Sequence, residues 1–225
     1  LTLAPQEQQA VFARGTNDLE AHALYLKRLH YLWSYYGRGF GEAIRCFEQA
    51  IEKDPRFARA YWGISEAYLQ VIFWGNKPPA EACPLVKTYA RKALALDPTL
   101  GDAHGALSYA HTIHDWNWEA AEREALEAVR LSPNSPMAHV YYSWFLLNTA
   151  RFEEAVHEAL LAKTLDPVSS EDAFAVGLAF GFSGDFGRAI DEYERGLRLA
   201  PDFYVLQSHL GLSCYGHGRY EEAAS

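Results

Sequence analysis

Residues 139–167, HVYYSWFLLNTARFEEAVHEALLAKTLDP, hold two amphipathic runs back to back and a terminator. In the first run His139, Tyr142, Ser143 and Leu146 recur at three- and four-residue steps, one face of a 3.6-residue helix. Phe152 opens the second, in which Ala155, Ala159 and Ala162 stand at i, i+4 and i+7. Small side chains on that stripe let a neighbouring helix approach closely. Pro167 ends the run, because its ring clashes with the preceding turn and pushes Asp166 out of the helical region.

The pattern returns along the chain. Prolines closing amphipathic runs stand at Pro55, Pro98, Pro133, Pro167 and Pro201, at intervals of 43, 35, 34 and 34 residues, a period in the range of stacked helical repeats. Ahead of them the second-run stripe reads Ala43, Phe47, Ala50; Val86, Ala90, Ala93; Ala121, Ala125, Ala128; and Ala189, Tyr193, Gly196. Charged residues fill the opposite face, as Glu122, Arg123, Glu124, Glu127 and Arg130 do. After each proline comes a first run with a large residue, a large beside a small, and another large: Tyr61, Ile64, Ser65, Tyr68; His104, Leu107, Ser108, His111; Ala173, Val176, Gly177, Phe180; Gln207, Leu210, Gly211, Cys214. An aromatic residue three positions before the first small residue marks each turn, at Phe40, Trp118, Phe152, Phe186 and Tyr220, with Cys83 as the exception.

A helix-turn-helix unit of about 34 residues with W-x-x-L-G-x-x-Y, A-x-x-x-F and P resembles the tetratricopeptide repeat. The resemblance runs over about residues 20 to 225 and implies an all-α fold, a right-handed superhelical solenoid of antiparallel helix pairs. Residues 1–17 are expected to be a linker or short helix. Units are expected at about 18–57, 58–100, 101–135, 136–169 and 170–203, with a partial one at 204–225. The second carries extra residues around Trp74-Gly75-Asn76-Lys77-Pro78-Pro79, expected as a loop near 74–82, and the first has a lengthened first helix, Leu24 to Tyr36. The opening around Arg14 to Lys27 is similar to the start of repeat arrays attached to bacterial nucleotide cyclases and winged-helix regulators. Together with a partial last unit, that gives an alternative expectation, a regulatory or sensory tail of a larger bacterial signalling protein.

Composition narrows the function. The chain is 49% hydrophobic and 22% charged over 225 residues, enough apolar material for a folded core. Its longest stretch free of Lys, Arg, Asp and Glu, Leu131 to Ala150, is broken by Pro133 and Pro136, and a helical span needs about 20 apolar residues. The net charge of −9 argues against tracking nucleic-acid phosphates. Cys46, Cys83 and Cys214 form no C-x-x-C and leave one thiol over, so a reducing, cytoplasmic setting is expected.

In the resembled family the first helices line a concave surface that takes peptides. One residue beyond the packing stripe, about 100° around the helix, runs a second stripe expected to face that groove: Trp62, Glu66 and Gln70; Tyr109; Val140, Trp144 and Asn148; Phe174 and Phe182. The same rings equally suit packing of neighbouring first helices on one another. No Lys or Arg occurs in 99–122, 134–150, 168–187 or 202–218, so four successive first runs carry no permanent cation. The family's carboxylate-clamp members need such cations, so no clamp is expected, and the partner should be an apolar or mixed polypeptide. Self-association through exposed solenoid ends is a further expectation.

Nothing in the sequence points to a cofactor, a metal or catalysis. His104, His111 and His114, with Asp102 and Asp115, fall largely on one helix side, but residues i and i+7 are about 10 Å apart along the axis, too far for one ion held by bonds of about 2 Å. G-x-S-x-G, G-x-x-x-x-G-K-[ST] and H-E-x-x-H are absent. Gly37-Arg38-Gly39-Phe40-Gly41, lacking a preceding strand, reads as a turn between helices. A non-enzymatic scaffold for protein binding is the expected function.

Overall fold

The computed structural model describes residues 15–34 and 39–223, which form helices and no strand. First helices are α1 (Leu19–Ser34), α3 (Ala58–Phe73), α5 (Gly101–Ala110, extended by a π-helical turn His111–Asp115), α7 (Pro136–Asn148), α9 (Ser170–Phe182) and α11 (Tyr204–Gly216). Second helices are α2 (Phe40–Lys53), α4 (Pro79–Leu96), α6 (Trp118–Leu131), α8 (Phe152–Leu165), α10 (Phe186–Leu199) and the short α12 (Tyr220–Ala223). Two compact units result, one ending at Trp116 and the other beginning at Asn117.

Local chemistry sets the helix bounds. The aromatic markers Phe40, Trp118, Phe152, Phe186 and Tyr220 are each the first residue of a second helix. Asn117 and Asp185 cap two of these, their side chains accepting from the amides of Ala120 and Arg188, while Ser135 and Ser169 cap α7 and α9 in the same way. At the other end, Asp54, Asp97, Ser132, Asp166 and Ala200 leave the helical region with φ of −135°, −139°, −129°, −135° and −139°. Each precedes a proline, whose ring disfavours the helical conformation for its neighbour.

Two bounds differ from expectation. Asp18 caps α1, its carboxylate accepting from the Ala21 amide at 2.9 Å, and so the helix starts at Leu19 rather than Leu24; its expected end at Tyr36 lies outside the described residues, as do Gly37 and Arg38. Of the expected loop at 74–82, residues 74–78 connect the helices and Pro79 already begins α4. Proline is pre-organised for a first helical position, so part of the insertion lengthens a helix to 18 residues instead of forming a loop.

In the first unit each helix packs on the next from α1 to α5, and α3 also meets α1 and α5. Tyr25 sits between Phe47 and Phe57, with ring centroids 5.8 and 5.2 Å away. In the second unit the succession runs from α6 to α12, and α9 also meets α7 and α11. The small residues are where helices close up. A Cβ on Gly177 would lie under 3 Å from three ring atoms of Tyr193, and Ser65 and Ser143 come near enough to the paired helix to donate to the carbonyls of Val86 and Ala155, at 3.0 and 2.9 Å.

A buried ion pair ties α7 to α8. His139 Nε2 lies 3.0 Å from the Pro133 carbonyl oxygen, which only accepts, so Nε2 carries a proton. Nδ1 lies 2.6 Å from Glu158 Oε2 and also carries one in the ion pair. The carboxylate, followed by the carbonyl, raises the His139 pKa above its ordinary value against the effect of burial.

Replacing Gly177 by Ala should overpack the α9–α10 contact and cost about 1–3 kcal/mol, read as a lowered midpoint in urea unfolding with the helical signal retained. Because His139 has a raised folded pKa, its stabilisation is full below the unfolded value of about 6.5 and is lost as pH rises through the folded one. The wild-type advantage over a His139→Gln variant should therefore shrink on going from pH 6 to pH 9, measured by urea unfolding at each pH.

Candidate functional site

The nine residues expected to line the groove divide between the two units. In the first, Trp62 and Glu66 of α3 are buried, and Gln70 and Tyr109 are half-buried. Gln70 links the group: its Nε2 donates to Glu66 Oε1 at 2.9 Å, and its own Oε1 accepts from Trp74 Nε1 at 3.2 Å. Spaced four apart on α3 and its end, these three side chains form a polar ladder along one helix face. Burial pushes the Tyr109 hydroxyl on α5 up to about 12, with the charges of Cys83 and Glu66 acting in the same direction, so it is a neutral phenol.

In the second unit two of the nine belong to the core. Val140 is 1% exposed and packs with Ala162 and Ala175, while Phe174 is 3% exposed. The Phe174 ring meets His209 edge-on at 5.0 Å and lies 6.3 Å from Tyr193 and 6.1 Å from Phe203. Second helices as well as first helices close over them, Ala162 of α8 and Ala175 of α9 on Val140 and Tyr193 of α10 and His209 of α11 on Phe174, so neither opens onto the expected solvent-facing groove. Trp62 and Glu66, 8% and 1% exposed, likewise do not open onto a solvent-facing groove in the first unit. Trp144 is half-buried against the Val140 cluster and edge-on to Tyr141 at 5.7 Å. Asn148 is exposed and donates to the Trp144 carbonyl at 2.8 Å. Phe182 is 61% exposed.

Exposure thus rises along the α7 and α9 stripes from the N-terminal to the C-terminal end of the helix: Val140, Trp144, then Asn148; Phe174, Leu178, then Phe182. On α3, Trp62 and Glu66 are both buried and only Gln70 is half-buried. On α11 the corresponding Leu212 and Tyr215 are 66% and 67% exposed, and Tyr215 meets Tyr220 edge-on at 5.3 Å. Phe182 and Tyr215 therefore present aromatic surface from two adjacent first helices, with no Lys or Arg in 168–187 or 202–218.

Two features were not legible beforehand. Between α7 and α8 a cavity of about 280 Å³ is lined by Tyr142, Leu146, Glu153, Glu154, His157 and Glu158. Its acidity is partly neutralised, since Arg151 holds Glu154 and His139 holds Glu158. On the π turn Asp115 accepts from Lys87 at 2.7 Å and contacts Nδ1 of His111 and His114 at 2.7 and 2.8 Å. Those hydrogen bonds outweigh desolvation and hold its carboxyl well below the usual range. Two of the three histidines that stood out in the sequence, His111 and His114, converge on the Asp115 carboxylate, and among the described residues no three His, Cys, Asp or Glu side chains form a metal-holding group. No described helix is long and apolar enough to cross a membrane.

Comparison with known proteins agrees with this architecture. The family model for a tetratricopeptide repeat matches residues 35–70 and 174–225, one stretch in each unit. The transcriptional regulator HilA of Salmonella typhimurium is 28% identical over 151 residues, 67% of this chain and 27% of its own length. Superkiller protein 3 of Schizosaccharomyces pombe is 24% identical over 192 residues, 13% of its length; the chain thus spans about a quarter or less of these relatives. Among solved structures, the thermophilic tetratricopeptide protein TTC0263 of Thermus thermophilus superposes with a TM-score of 0.66 at 16% identity, covering 85% of this chain and 99% of that one. Pseudomonas aeruginosa pilF gives 0.59 at 25% identity over 77% and 74% of the two chains. The human IFIT1 dimer with m7Gppp-AAAA gives 0.72 at 17% identity over 91% and 48%. Proline-terminated helix pairs closing on small residues and these structural likenesses give the chain the all-α fold of tetratricopeptide-repeat proteins, and the family model is similar to two stretches of it.

Proposed function

We propose that the chain is a non-enzymatic protein-binding scaffold that takes a polypeptide segment on the cation-poor aromatic surface of its first helices. The observation that carries this is the pair Phe182 and Tyr215, both more than half exposed on the adjacent helices α9 and α11. Aromatic side chains of this kind bury about 150–250 Å² each, and several together exceed the apolar patch of a few hundred Å² that a monomer ordinarily shows. With no Lys or Arg in those helices, the surface selects an apolar or mixed segment over an acidic tail.

A second reading makes the array a regulatory segment of a longer bacterial signalling protein. It rests on the similarity to HilA, a transcriptional regulator of which the chain spans 27%. Sequencing the whole gene tests it: a DNA-binding, cyclase or kinase domain supports it, and the absence of any removes it.

For the scaffold reading, peptides selected from a display library against the purified chain should bind the Phe182→Ala, Tyr215→Ala double variant at least about tenfold more weakly, the loss of about 1.4 kcal/mol. Helical content by circular dichroism should be unchanged. Equal affinity for the double variant takes the α9–α11 surface out of the binding site.

A further inference from the structure

The turn from α8 into α9 holds a carboxyl group in an unusual position. Asp172, in the first turn of α9, is 2% exposed, and its Oδ2 has no hydrogen-bond partner. The Ser169 hydroxyl reaches the carboxyl and also caps the Asp172 amide at 3.0 Å. The acidic neighbours are Asp166, from the preceding turn, and Glu171, beside it on α9; both disfavour a further negative charge. Across from them on α10 stands Arg195, whose positive charge acts the other way.

Arg195 is itself only partly used. Its Nε donates to Glu192 Oε2 at 2.8 Å and its Nη1 to the Pro167 carbonyl at 2.8 Å, whereas Nη2 is buried with no partner. Glu192 keeps a second cation, Lys163 of α8. One buried acceptor and one buried donor of opposite polarity, on two helices that pack together, are thus both unsatisfied. Leaving such groups unpaired in a protein interior is unfavourable, the more so when they are charged. Burial first, then the Asp166 and Glu171 charges, push the Asp172 carboxyl up to about 7.

We propose that Asp172 and Arg195 form a proton-operated latch between the N-terminus of α9 and helix α10. With the proton on, Asp172 is a neutral acid, and Arg195 is held by Glu192 and the Pro167 carbonyl alone. When the carboxyl O–H bond breaks and the proton passes to water, the buried carboxylate draws Nη2 of Arg195 onto Oδ2. The guanidinium has that donor to spare, so Nε and Nη1 keep their partners. Closing the latch joins α9, the Pro167 turn and α10 through one side chain, which stiffens the α9–α10 pair on the alkaline side of neutrality. The device is independent of the peptide-binding reading, since it lies at the opposite end of α9 from Phe182.

Carboxyl and guanidinium NMR resonances of the intact chain, followed from pH 4 to pH 9, test this. Asp172 should titrate at least about one pH unit above the ordinary aspartate value of about 3.9. The Arg195 guanidinium resonances should move with the same midpoint, and in the Asp172→Asn variant they should no longer move. An Arg195→Gln variant should raise the Asp172 midpoint, because the ionised form loses its partner. Backbone amides of residues 168–170 should exchange more slowly above the midpoint in wild type, after correction for intrinsic rates, and show no such step in Asp172→Asn. An Asp172 midpoint at or below about 4, the ordinary value, or Arg195 resonances that ignore it, overturns the latch; the wild-type titration alone decides this if either variant fails to fold.

Discussion

Close approach between paired helices is the constraint on which the rest of the structure depends. Helices whose side chains are Ala, Ser or Gly at the contact bring their backbones together, and the larger partner then fills the remaining space. At Gly177 the space belongs to the Tyr193 ring; at Ser65 and Ser143 the hydroxyl spans the gap to a carbonyl of the facing helix. Such contacts are specific in a way that uniform leucine packing is not, because one added methyl displaces a ring or a neighbouring helix. Each pair buries its stripe only against its neighbours, so repetition of the same small residues sets the stacking.

Helix bounds and pairing were legible because they are encoded locally. A proline fixes the conformation of the residue before it wherever it stands, which is why Asp54, Asp97, Asp166 and Ala200 share nearly the same φ. Aromatic residues at 40, 118, 152, 186 and 220 mark helix starts for a similar reason: they sit one turn ahead of the contact stripe. Where two local signals competed, the count of residues misled. The insertion after α3 contains Pro78 and Pro79, and its length suggested a loop, whereas the proline pair seeded helix.

The surface was less legible, because exposure depends on the angle between helices and not on periodicity. A stripe about 100° from the packing face is solvent-facing only if the next first helix leans away from it. Here neighbouring first and second helices cover its N-terminal members, Val140 and Phe174, while its C-terminal members, Asn148 and Phe182, stand in the open. Nothing in one helix's sequence states how the neighbouring helix tilts. The residues of the stripe therefore serve two purposes along a single helix, core at one end and surface at the other. Buried polar geometry was equally out of reach: Asp172 stands in the sequence as one more acid of a first turn, and only the tertiary packing leaves it 2% exposed within range of the Arg195 charge.

Charge placement follows from the same division of labour. The cations sit mainly on second helices, where they reach across to the next one: Arg151 of the α8 N-terminus pairs with Glu122 of α6, and Lys163 of α8 pairs with Glu192 of α10. Both links connect residues 29 apart, close to the repeat length, so they recur in step with the stacking. Pairs this exposed contribute little individually, about 0–1 kcal/mol, and their main effect is on where charge is absent. With most permanent cations on second helices, the first helices α5, α7, α9 and α11 carry no Lys or Arg. The net charge of −9 adds a long-range repulsion of anions to that local absence. Which aromatic rings those helices expose is in turn decided by the inter-helix tilt, the same geometry that sorts their stripes into core and surface.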